Sequence, residues 1–149
     1  MPGYVLHHAE AVIKNLVTSV RPGGALLLID PDFLPVSVAD PPEVRAFWER
    51  WLAWSRERGI DHYIGRSVAS RLAAIGLTPI SGTAETAVYN GGSPCADYSL
   101  RRVSVPRNDL SNSGKVDEAL VDTFLAWFAD SNWWTQTIAF TAVHGRVIR

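Results

Sequence analysis

The sequence holds one cysteine, Cys95, so no internal disulfide can form and no cysteine-based zinc site can be built. It has no surplus of one charge. Fourteen basic residues stand against fifteen acidic ones, for a formal net charge of -1. Bulk electrostatics therefore draw the chain neither to nucleic acid nor to an acidic membrane surface. No apolar run approaches the ~20 residues needed to span a membrane, and no basic start leads into an apolar stretch as in a signal peptide. A cytoplasmic protein with neither nucleic acid nor membrane as partner is the expectation. Repeats, heptad arrays and low-complexity tracts are also missing. What remains is an ordinary globular composition, 47% apolar and 19% charged, over 149 residues. That length predicts a single domain, 1–149, with a core of its own. Six tryptophans are many for such a chain. They serve either core packing or an aromatic-lined pocket.

The organising stretch is Arg21-Pro22-Gly23-Gly24 followed by Ala25-Leu26-Leu27-Leu28-Ile29-Asp30. Proline cannot continue a helix, and the glycines accept positive φ. The unbroken apolar run predicts a strand covered on both faces by helices. In such sheets ligands sit beyond the carboxyl ends of the strands, which singles out Asp30.

Around this stretch the spacing predicts an α/β chain. Tyr4 to His8 reads as the tail of a strand. Val12, Ile13, Leu16, Val17 and Val20 give a helix over 9–20. Pro31 to Pro42 is a connector. Asp40-Pro41-Pro42-Glu43 then starts a helix, with Asp40 as its cap and Glu43 completing a capping box. That helix runs to Arg58 with Val44, Phe47, Trp48, Trp51 and Leu52 on its apolar side, and Gly59 ends it. A helix over 66–75 closes at Gly76. Leu77 to Tyr89, broken by Pro79 and Gly82, predicts one extended segment with a bend or bulge. Asn90-Gly91-Gly92 is a turn, and Ser93-Pro94 caps a helix to about Val105. Pro106 to Gly114 reads as a polar loop and Val116 to Ala129 as a helix. Thr137 to His144 reads as a final strand closed by Gly145-Arg146.

The ordered set Leu6-His7-His8, amphipathic helix, Arg21-Pro22-Gly23-Gly24 and Leu26-Leu27-Leu28-Ile29-Asp30 resembles the second half of a class I S-adenosylmethionine-dependent methyltransferase. Ile64-Gly65-Arg66, Ala73-Ala74-Ile75-Gly76-Leu77, Gly91-Gly92-Ser93-Pro94, the helix before Trp133-Trp134 and the closing strand are similar to that family too. The resemblance implies a truncated Rossmann-like sheet. That sheet is mixed, with helices on both faces, a helical lid, and a last strand entering antiparallel between the strand at 25–29 and the segment 77–89. It implies S-adenosylmethionine as cofactor, a small and apolar methyl acceptor, and Leu6 and His7 at the cofactor edge. His8 and Asp30 become the catalytic candidates. Asp32, Phe33, Trp48 and Trp51 become the substrate contacts, the tryptophans lying on the lid helix.

The family grips its cofactor through a glycine-rich loop after its first strand. Glycines let backbone approach a ligand closely, and a carboxylate pairs with ribose hydroxyls. No strand–Gly-x-Gly–helix occurs in this sequence. The alignment leaves three strands, their helices and most of a fourth strand unaccounted for, so the cofactor half is expected from a partner chain or a longer protein. The bland readings stay open beside this one. His7 and His8 can simply open a loop, Asp30-Pro31-Asp32 is ordinary turn chemistry, and the tryptophans suit a packed helix face. A metal site from His8, Asp30 and Asp32 has no supporting spacing. The competing functional expectation is a non-catalytic remnant that binds a small molecule or self-associates. Its physical motive is an exposed sheet edge and uncovered apolar faces, which favour a homodimer or larger assembly. A third reading makes the chain an unrelated α/β binding domain.

Overall fold

The computed structural model describes residues 9–37 and 39–148. In chain order its elements are α1 (Ala9–Ser19), β1 (Ala25–Asp32), α2 (Leu34–Ser37), α3 (Pro42–Glu57), a 3-10 turn (Ile64–Ser67), α4 (Val68–Ala74), β2 (Leu77–Glu85), β3 (Val88–Asn90), α5 (Pro94–Ser104), α6 (Arg107–Asn112), α7 (Glu118–Ala129), β4 (Trp134–Gln136) and β5 (Ala139–Val147). They fall into two compact units. One comprises residues 9–33, 59–85 and 139–148, the other 34–58 and 86–138. No shift of composition along the chain announces that division.

The first unit is a three-stranded sheet in the order β1-β5-β2. β5 runs antiparallel to both neighbours, so β1 and β2 run parallel to each other. The last strand thus lies where the resemblance implied, beside β1 and next to β2. It is longer than expected. Gly145 and Arg146 continue the strand instead of closing it. Gly145 is needed there because a Cβ would come within 2.6 Å of Ile80 and 3.0 Å of Leu77, at the point where β2 shifts register between Leu77 and Ile80. That irregularity is the predicted bulge.

One face of this sheet packs. Leu26, Leu77, Val143 and Val147 close on Ile13 and Val17 of α1 and on Val68 and Leu72 of α4. The other face is open at several positions among the described residues, where helices on both sides were expected. Leu27 is 57% exposed, Ile29 60% and Phe140 47%. Cross-strand register puts Ala142, His144, Ser81 and Thr83 on this same open face. The unbroken apolar run of β1 misled because a strand with one bare face reads like a strand with none. β1 also continues through Pro31 to Asp32, two residues beyond the expected stop. Proline is tolerated in that position on an edge strand. At the amino end of the strand Gly23 takes φ +75°, and its N–H donates to the Val147 carbonyl at 2.8 Å.

The second unit is helical around an aromatic centre. Phe47 of α3 stacks on Phe124 of α7 with ring centroids 3.9 Å apart, and Phe124 stacks on Phe128 at 4.3 Å. Trp48 meets Phe124 and Trp51 edge-on. α7 is capped by Asp117, whose carboxylate accepts from the Leu120 N–H at 2.7 Å, and α5 by Ser93. The cap of α3 differs from the expected one. Pro41 occupies that position, its carbonyl accepting from the Val44 and Arg45 amides, with no side-chain cap; the Asp40 carbonyl accepts instead from the Trp133 indole at 3.2 Å. Three further features were not in the pattern. α2 interrupts the 31–42 connector and α6 occupies the expected polar loop. The expected 77–89 segment is two strands, since β3 leaves the large sheet to pair with β4. Gly91 makes that turn possible: a Cβ there would strike the Asp130 carbonyl.

Candidate functional site

The carboxyl end of β1 carries Asp30, Pro31, Asp32 and then Phe33, as the sheet logic requires. Strand alternation points Asp30 and Asp32 to the helix-covered face, the side of Leu26 and Leu28. The segment His62 to Arg66 closes over them. The Phe33 amide donates to the His62 carbonyl at 3.0 Å, and the two rings meet at 4.5 Å. Gly65 lets the 3-10 turn press onto the strand. A Cβ there would lie 2.9 Å from the Asp30 carbonyl oxygen and 3.0 Å from that of Pro31. This approach brings Arg66 to Asp32 in a two-pronged ion pair, with Nε at 2.9 Å and Nη2 at 2.7 Å from the two carboxylate oxygens. Donating hydrogen bonds to Asp32 raises the Arg66 pKa, so the guanidinium stays charged. Its Cζ also sits 4.7 Å over the Tyr63 ring.

No protein-family model matches the chain, and no curated protein matches its sequence. Function must therefore be argued from the geometry of this end of the strand.

The sequence candidates divide into three groups. Leu6, His7 and His8 lie outside the described residues. Asp30 stands where it was expected, half-buried beside Thr141 of β5. The third group is committed to other contacts. Asp32 gives both oxygens to Arg66. Phe33 is fully buried. Trp48 and Trp51, 2% and 4% exposed, are core side chains of the second unit. The helix expected to act as a Trp-rich lid spends that face on α7. A side chain so enclosed meets no ligand unless its helix moves. His62, Tyr63, Gly65 and Arg66 make up the site's other wall. Ile64-Gly65-Arg66 was visible in sequence as a helix start, but His62 carried no local signal.

At the carboxyl end of β1 the described residues lack the glycine half of a nucleoside grip. The cradle would need glycines with open space at the carboxyl end of a strand and an uncommitted carboxylate. Gly65 is filled by the strand beneath it, Gly23 and Gly24 lie at the amino end of β1, and Asp32 is paired. No cluster of three or more metal-binding side chains occurs among the described residues, and no helix among them is long and apolar enough to cross a membrane.

Asp30 is the group whose chemistry is altered. Burial raises its carboxyl pKa above the ordinary 3.8. The folded chain therefore holds this proton to higher pH than the unfolded chain does. Stability falls as pH rises from about 3.8 through the raised value, because charge is then placed in a partly dry position. Asp30→Asn removes that cost. At neutral pH the variant is expected to melt slightly above the parent, with the gap vanishing below about pH 4. Thermal unfolding of both chains across that range measures it, and a variant less stable at pH 7 would show that the carboxylate has a stabilising partner.

Proposed function

We propose that this chain is a methyltransferase-family protein providing the acceptor side of S-adenosylmethionine-dependent transfer to a small, apolar molecule. The observation that carries the reading is the strand order β1-β5-β2, with the last strand antiparallel to both neighbours and a half-buried carboxylate at the carboxyl end of β1. Transfer from a sulfonium to a hydroxyl or amine needs alignment and loss of the acceptor's proton. Asp30 is suited to orient such an acceptor and, above its raised pKa, to take a hydrogen bond from it. The Asp32–Arg66 pair fixes the wall opposite. The grip on the cofactor's nucleoside belongs to residues other than the described ones, and the reading depends on their supplying it.

Calorimetric titration of the chain with S-adenosylhomocysteine tests this. Saturable micromolar binding supports the reading, and Asp30→Ala should then leave that affinity unchanged while removing turnover. Absence of heat at millimolar ligand would remove catalysis by this chain on its own. It would favour the second reading, a non-catalytic module with methyltransferase ancestry. The burial of Phe33, Trp48 and Trp51 already speaks for that alternative, since it takes three of the expected substrate contacts out of reach.

A further inference from the structure

The sheet of the first unit has a packed face and a bare one, and the bare one has a polarity. Along its middle lie Leu27, Ile29 and Ala142, with Ser81, Thr83 and His144 beside them, and Phe140 follows toward one end. Glu85 stands at one end, opposite Phe140, and Arg146 at the other, opposite Ala25. No Asp, Glu, Lys or Arg of the three strands lies between them on this face. We propose that a second copy of the chain docks here, the two sheets stacked face to face about a two-fold axis lying in the interface and perpendicular to the strands.

Charge placement selects this occupant. Such an axis reverses the strands of one copy against the other. The Glu85 end of each copy then meets the Arg146 end of the other, so opposite charges are matched twice. The middle of the face buries no fixed charge when it meets itself. From Phe140 to Arg146 the face runs roughly 20 Å, and three strands make it roughly 15 Å wide. On the order of 300 Å² is well under the about 800 Å² per partner of a stable complex. The dimer is accordingly weak and concentration-dependent. It does not rest on methyl transfer, and a chain that binds no cofactor would form it equally well.

Sedimentation velocity over a wide concentration range, with circular dichroism to verify folding, is the test. The parent chain should pass from monomer to dimer as concentration rises. Ile29→Asp, at the centre of the face, should hold it monomeric. Glu85→Arg alone and Arg146→Glu alone should each weaken the dimer about tenfold. Mixing these two single variants should restore association, because each then offers the charge the other needs. A parent chain that stays monomeric at every concentration overturns the proposal. So does a dimer that ignores Ile29→Asp, or one that single charge reversal weakens but mixing does not restore. Pairing along the outer edge of β1 would give that last result, since the edge does not bring Glu85 to Arg146.

Discussion

Replacing Phe124 by alanine is expected to cost about 3–5 kcal/mol, because a large fully enclosed ring is removed and its neighbours close only in part over the gap. Phe124 is the common contact of the second unit. Phe47 stacks on it at 3.9 Å and Phe128 at 4.3 Å, and Trp48 meets its edge at 5.2 Å. All four rings lose a partner or their own place at once. The melting temperature should drop by on the order of 10 °C. Tryptophan emission follows the event well. Trp48, Trp51, Trp54, Trp127, Trp133 and Trp134 all belong to this unit, so the signal reports its unfolding. A loss below about 1 kcal/mol would mean that α3 and α7 repack around the smaller side chain, and that the aromatic cluster is looser than its ring distances imply.

Gly65→Ala is the second large effect expected, a loss of about 2–3 kcal/mol. The new methyl would sit 2.9 Å from one backbone carbonyl oxygen and 3.0 Å from the next, and neither can rotate away as a flexible side-chain tip would. Relief requires the 3-10 turn to lift from β1. Arg66 then leaves Asp32, whose buried carboxylate loses its two-pronged partner. The damage should therefore appear at the candidate site as well as in stability. Amide exchange in β1 and in residues 64–67 should quicken before any other part of the first unit. An unchanged exchange pattern would show that the turn tolerates a Cβ, and that Gly65 is not what holds the wall in place.

Asp30 and its neighbours show where reading by residue succeeds. That Asp30 lies near the carboxyl end of a strand followed from the apolar run before it, although the strand runs on through Pro31 to Asp32 where the proline was expected to stop it. The Asp32–Arg66 pair did not follow. Its partners are 34 residues apart, and only the close approach allowed by Gly65 joins them. Trp48 and Trp51 were equally undecidable. Helical spacing says that two tryptophans share a side of α3, yet a pocket lining and a core produce the same spacing. What α3 lies against settles the matter, and that is α7.

Helix starts and stops, the glycines at Gly23, Gly59 and Gly76 with positive φ, the bulge near Pro79 and the α/β alternation were set by local chemistry, since each depends on backbone sterics or capping within a few residues. The bare face of β1, the departure of β3 to a second sheet, the enclosure of the tryptophans and the pairing of Asp32 were decided only by tertiary structure. Each is a question of which distant segment arrives alongside, and a run of apolar residues is the same run whether one side of it is covered or two.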